Sequence, residues 1–221
     1  AVVILGRRAD ALEQTADELN TAVGGRLVRW HPVDLTQPDQ VEAVAAELAA
    51  GGQPVDVLVN NAGGISSGPQ DSLGEVAEVW RRDFDGNVLT TVLLTQALLP
   101  QLRRPGGRIV AISSVAAFRG ANSYGAAKAA LHAWMYSLSA DLAPQGVTVN
   151  IVAPGFIPET RFWAGRLSRD MYDARVNAIP MGRPGTPDEV AAAVQYLASS
   201  DCGYTTGQIL QVNGGWVTGR G

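Results

Sequence analysis

"VDVLVNNAGG", residues 55–64, decides the fold. Four of its first five residues are apolar, and the run then breaks into asparagine, alanine and glycine. A short, nearly continuous apolar run suits a strand buried on both faces, as the inner strands of a parallel sheet are. Outward from it, strand-like and helix-like stretches alternate. Upstream, "AVVIL" (1–5) and "RLVRWHPVDL" (26–35) read as strands. Between them "DALEQTADELN" (10–20) places Leu12, Ala16 and Leu19 at a helical period. A helix follows Thr36, its expected cap, with Pro38 in the first turn and Val41, Val44, Ala45 and Leu48 on the apolar face. Downstream come a helical region over 75–101, a strand "GRIVAISS" (107–114) and a helix over 123–143. A strand "VTVNIVAP" (147–154), a helix over 187–198 and a strand "QILQVNGG" (208–215) follow. Residues 156–185 show no clear period.

This alternation predicts an α/β fold: a doubly wound parallel sheet with helices on both faces, in one domain spanning 1–221. The chain has 221 residues, 46% of them apolar and 17% charged, enough to bury a sizeable core. Its formal net charge of −4 comes without a basic stripe, which argues against nucleic-acid binding. No apolar run is long enough to span a bilayer. Cys202 is the only cysteine, so no intrachain disulfide and no cysteine-built metal site is expected, and a reducing, cytoplasmic setting is the default.

In such sheets ligands bind at the carboxyl ends of the strands. Those ends carry Gly6-Arg7-Arg8, Asp34-Leu35, "NNAGG", Ser113-Ser114 and "APGF". Ten residues after Ser114 stands Tyr124, with Lys128 one helical turn further in "SYGAAKAALHAW" (123–134). A phenol of ordinary pKa near 10 exchanges its proton reluctantly at neutral pH. A lysine at i+4 on the same face brings a positive charge that favours phenolate. His132 and Cys202 read as structural, His31 as a surface residue and Trp163 as a residue that meets substrate.

The chain resembles the short-chain dehydrogenase/reductase family, and most of all its 3-oxoacyl-[acyl-carrier-protein] reductase-like branch. The resemblance rests on "NNAG" (60–63), Asn87 in "DFDGNVLT", "ISS" (112–114), "YGAAK" (124–128), "PG" (154–155) and "GQILQVNGG" (207–215), in the family's order. It implies a Rossmann-like three-layer α/β/α fold and an oxidoreductase that moves a hydride between a nicotinamide cofactor and a carbonyl or secondary alcohol. Tyr124 would be the proton donor, Lys128 its electrostatic partner and holder of the nicotinamide ribose, Ser114 the substrate-oxygen ligand and Asn87 the anchor of a proton relay. The serine–tyrosine spacing is about three residues shorter than in many members, which leaves Ser113 and Ser123 as alternatives to Ser114. Cofactor contacts would come from Arg7, Arg8, Asp34, Leu35, Asn60, Ala62, Gly63, Tyr124, Lys128, Pro154, Gly155, Ile157 and Thr160.

NAD-preferring members place an acidic residue just after the strand corresponding to 1–5. Here Arg7 and Arg8 stand there, so NADP(H) is expected, because an arginine pairs with the 2′-phosphate that a carboxylate would repel. Residues 156–198 would form the variable substrate-binding segment. The resemblance also implies a homo-oligomer, a tetramer or dimer. The family's first strand, T-G-x-x-x-G-x-G turn and following helix have no counterpart in these residues. A gap in the sheet between the strands at 1–5 and 55–59 is therefore expected. So is a rival reading, a truncated, inactive chain with a structural or oligomerisation role.

Overall fold

A computed structural model of the protein describes residues 1–219. The strands are β1 (Val2–Gly6), β2 (Val28–Pro32), β3 (Val57–Asn60), β4 (Arg108–Ile112), β5 (Thr148–Pro154) and β6 (Ile209–Val212). The helices are α1 (Ala9–Val23), α2 (Pro38–Ala50), α3 (Leu73–Phe84), α4 (Thr90–Leu98), α5 (Ala116–Arg119), α6 (Asn122–Leu142), α7 (Arg169–Asn177) and α8 (Pro187–Ala198). Every strand pairing is parallel.

The two central strands explain the layering. Ile109 and Ala111 of β4, with Val149, Ile151 and Ala153 of β5, enter one apolar cluster. Val41 and Val44 of α2, Leu94 and Leu98 of α4, and Met135 and Leu138 of α6 complete it. Val110 and Val152, at the alternate positions, enter a second cluster with Leu197 and Cys202. The period of two along each strand thus sends successive side chains to opposite helical layers. Ile109, Val110, Ala111, Val149, Val152 and Ala153 are wholly buried. Each buried aliphatic side chain of this size contributes roughly 1.5–3 kcal/mol. Cys202 is the small core residue the sequence suggests.

The sheet is in two blocks: β1 pairs with β2, and the other four strands run in the order β3-β4-β5-β6. β1 and β3 are not hydrogen-bonded to one another, and each has one edge without a strand partner among the described residues. Leu5 of β1 nevertheless packs on the same cluster as Leu58 of β3, so the blocks share a core. The expectation that β3 is buried on both faces fails. Leu58 and Asn60 are buried, but Val57 and Val59 are 37% and 41% exposed. β3 is an edge strand, and Val59 borders an open cleft.

One helical expectation also needs correction. Thr36 does not cap α2; its amide and hydroxyl both donate to Asp34 Oδ1, at 3.0 and 2.8 Å. Gln37 is the N-cap residue, with no side-chain cap bond. The region 75–101 is helical throughout, as expected, with a π-helical turn, Asp85–Leu89, that separates α3 from α4 and carries Asn87. Such turns widen the backbone and recur at functional sites. Among the described residues no helix is long and apolar enough to cross a membrane.

Candidate active site

A cleft of about 1130 Å³ opens at the carboxyl ends of β3, β4 and β5. That exceeds the usual size for one small ligand, roughly 300–1,000 Å³. Ser114, Tyr124, Lys128, Gly63, Pro154, Gly155, Ile157 and Thr160 all line it. A similar hollow of about 1140 Å³ beside α1 and β2 holds none of the expected site residues.

Helix α6 presents Tyr124 and Lys128 on one buried face; the two residues are 8% and 4% exposed. The Lys128 ammonium donates to the Ile112 carbonyl at the end of β4, at 2.9 Å. Burial lowers its pKa to about 8. Tyr124 and Ser114 line the same cleft. Burial raises the pKa of the phenol, the neighbouring Ser114 hydroxyl opposes that rise, and the charge of Asp83 adds to it. The expected lowering by Lys128 is therefore not seen. The ammonium is engaged by a backbone carbonyl, and desolvation is the largest influence on both groups.

The three serines separate by direction. Ser113 is buried and reaches His132 Nε2 at 2.7 Å, while also donating to the Lys128 carbonyl at 3.3 Å. Ser123 donates to Asp83 Oδ2 at 2.6 Å. Ser114 is the serine whose hydroxyl bears on the pKa of the phenol, and its Oγ accepts from the Ala116 amide at 3.1 Å.

Asn87 lies behind the loop that follows β3. Its Nδ2 donates to the carbonyls of Gly64 and Asp83, at 2.7 and 2.8 Å, and its Oδ1 accepts from the Gly64 amide at 3.0 Å. A Cβ on Gly63 would lie 2.6 Å from Asn87 Oδ1 and 3.0 Å from Lys128 Nζ. Glycine there lets backbone, amide and ammonium converge.

Asp83, one turn before Asn87, went unnoticed in the sequence. It is 1% exposed, and its Oδ1 accepts from the Ser66 amide at 2.7 Å. It thereby ties the loop after β3 to Ser123 beside the phenol. Asp83, one of two aspartates in "WRRDFDGN", reads as a solvated helix charge, so the sequence held no signal for it. Phe162, whose ring centroid lies 5.5 Å from that of Tyr124, was missed for want of periodicity in its segment.

Other expected contacts lie elsewhere. Asn60 turns into the core and donates to Thr95 Oγ1 at 2.9 Å, and it is Asn61 that lines the cleft. Leu35 belongs to the main apolar cluster rather than to an open surface. Ala62 is exposed between Asn61 and Gly63. Arg7 and Arg8 are exposed just after β1. The Asp34 carboxyl is held below its ordinary pKa, first by its bonds from Thr36 and in lesser part by Arg7. His31 is partly buried beside Glu47, at 3.2 Å.

Comparisons with known proteins agree with this arrangement. The family model described as enoyl-(acyl carrier protein) reductase matches residues 1–217. Nodulation protein G of Rhizobium sp. (strain N33) is 37% identical over 214 residues, covering 95% of this chain and 84% of that protein. The RhlG/NADP active-site complex of Pseudomonas aeruginosa superposes with a TM-score of 0.85 at 32% identity, covering 97% of this chain and 85% of that one. A 7α-hydroxysteroid dehydrogenase complexed with NADH and 7-oxo glycochenodeoxycholic acid gives a TM-score of 0.86 at 31% identity, over 97% and 84% of the two chains. A parallel α/β fold, a tyrosine and lysine one turn apart in a cleft at the strand ends, and these matches together establish that the chain belongs to the short-chain dehydrogenase/reductase family of oxidoreductases.

Proposed function

We propose that the protein reduces a carbonyl compound to a secondary alcohol with NADPH, or runs the reverse oxidation with NADP+. The observation that carries this reading is the gathering of Ser114, Tyr124 and Lys128 on the wall of one cleft, with Lys128 one helical turn behind the tyrosine. The residues fit a dinucleotide at the nicotinamide end. Gly63 and Gly155 line the cleft at close approaches of the chain to itself: a Cβ on Gly63 would lie 3.0 Å from Lys128 Nζ, and one on Gly155 2.8 Å from the Asn213 Cα. Lys128, Tyr124, Gly63 and the Pro154–Thr160 segment would hold that end. Arg7, Arg8, Asp34 and Ala62 stand at or beside strand ends where the adenosine would extend.

When bound, the nicotinamide supplies the hydride. Ser114 orients the carbonyl oxygen, and Tyr124 gives it the phenolic proton. A phenol whose pKa is raised stays protonated at neutral pH and releases its proton only as negative charge develops on the carbonyl oxygen. Lys128 and Asn87, close together at Gly63, stand where a proton can be returned to Tyr124.

The choice of NADP(H) over NAD(H) rests on Arg7 and Arg8, with no carboxylate directly after β1. Residues 156–198, within a single domain, are the substrate-facing segment; 3-oxoacyl groups are one member of the carbonyl class they would meet. Exposed Trp80 on α3, Leu89 in the π-turn and Tyr136 on α6 support a homo-oligomer built through these helices, in a cytoplasmic setting. The test is steady-state oxidation of NADPH and NADH at 340 nm with a small ketone panel, in the wild type and in Arg7→Glu. NADPH should be favoured by about tenfold or more, near 1.4 kcal/mol, and Arg7→Glu should erase the preference. No turnover with either cofactor would refute the assignment of function. Turnover with an NADH preference would refute the cofactor reading alone.

A further inference from the structure

The cleft has an unbalanced charge. Four of the residues lining it are cationic, Arg119, Lys128, Arg166 and Arg175, and none is Asp or Glu. None of the three arginines makes an ion pair among the described residues. Two of them belong to the segment expected to face substrate. Arg175 of α7 is half-buried, with its guanidinium 4.7 Å from the Trp163 ring centroid and 5.8 Å from that of Phe156. One of its nitrogens donates to the Met171 carbonyl at 3.1 Å. Arg166 lies 5.9 Å from the Phe162 ring, the same ring that packs against Tyr124. Its Nη1 donates to the carbonyl of Ile65, in the loop that Asn87 and Asp83 hold. Each guanidinium has five N–H donors, and these contacts leave most of them free. Arg166 is exposed and Arg175 half-buried, so both guanidiniums can turn their unused donors to an anion in a cleft whose lining holds no carboxylate.

We propose, building on the oxidoreductase reading above, that the native substrate is an oxyanion-bearing carbonyl compound with an apolar or aromatic body. Arg166 and Arg175 bind its carboxylate or phosphate, while Phe162 and Trp163 cover its body beside Tyr124. Arg7 and Arg8, which lie outside this cleft, are left for the cofactor. The guanidiniums, held over the Trp163 and Phe162 rings at 4.7 and 5.9 Å, give the anion a direction relative to the phenol that a mobile lysine would not.

The experiment compares acetophenone, 4-acetylbenzoate and 4-acetylphenyl phosphate in two assays. The first is NADPH-dependent reduction. The second is binding followed by tryptophan fluorescence with no nicotinamide present. At least one anionic ketone should exceed acetophenone by about tenfold or more in kcat/KM and in affinity, the preferred anion naming the native group. Arg166→Gln and Arg175→Gln should each bring that ratio down towards one, chiefly through KM. Equal efficiency and equal binding for the neutral and anionic ketones would overturn the inference while leaving the oxidoreductase reading intact. Selective anion binding with no reduction of any ketone would support the inference and refute that reading. If either variant weakened NADPH as much as the ketone, the arginines would belong to the cofactor and the inference would fall.

Discussion

Replacing Lys128 by methionine should stabilise the fold at pH 7 while destroying the proposed chemistry. Lys128 is 4% exposed, and burial lowers its pKa from 10.5 to about 8. Below about pH 8 the lysine is charged in both states, and only the folded state bears the desolvation cost. A shift of that size corresponds to about 3 kcal/mol, at about 1.4 kcal/mol per pKa unit. Methionine keeps the length of the side chain and removes the charge. It also removes the bond to the Ile112 carbonyl, which gives back roughly 1–2 kcal/mol. The net gain at pH 7 is therefore about 1–2 kcal/mol, a rise of roughly 2–8 °C in Tm for a chain of this size.

The pH dependence gives a sharper signature than the gain itself. Between about pH 8 and 10.5 the unfolded chain binds more protons at Lys128 than the folded one, so wild-type stability rises with pH across that window. The methionine variant lacks this contribution. Its advantage should shrink by roughly 2 kcal/mol between pH 7 and pH 10. Urea unfolding of both proteins at the two pH values measures it. A difference independent of pH, or a variant less stable at pH 7, would show that Lys128 is not a strained buried charge.

Two further variants probe the surroundings of the phenol. Asp83→Asn keeps an acceptor for the Ser66 amide but removes the charge that raises the Tyr124 pKa, so the alkaline limb of the pH–rate profile should move to lower pH. The same change costs Ser123 its carboxylate partner and should lower stability by about 1–3 kcal/mol, read by denaturant titration. Gly63→Ala places a Cβ 2.6 Å from Asn87 Oδ1 and 3.0 Å from Lys128 Nζ; kcat should fall by about tenfold or more, because displacements near 1 Å are costly at a reacting centre.

Much of this molecule was legible where a local rule and a tertiary role coincide. Helix α8 spans 187–198 as its periodicity foretells, because Thr186 caps it and Pro187 starts it, both local choices. Tyr124 and Lys128 share a face because helical spacing alone requires it. Ser113 and Ser114 were distinguishable only in three dimensions. They follow the end of β4 and differ in their partners, Ser113 reaching His132 and Ser114 accepting from the Ala116 amide. Asn60 and Asn61 pose the same problem after β3, and there the expectation chose the residue that faces Thr95. Asp83 escaped because a buried carboxylate is recognised by its partners, Ser66 and Ser123, which are distant in sequence. The division of the sheet between β1 and β3 was expected from motif order, and the exposure of Val57 and Val59 accompanies the open edge that this division leaves on β3 among the described residues.

The proton donor is the centre of the account, and Tyr124→Phe tests it most directly. The substitution removes one oxygen and leaves the ring against Phe162. NADPH-dependent ketone reduction and NADPH binding should be measured on the same preparations of wild type and variant. The account predicts turnover reduced by about 10²-fold or more, the usual worth of a positioned acid, with NADPH affinity within a few-fold of wild type. A phenylalanine variant that reduced ketone at a rate near that of the wild type would contradict it.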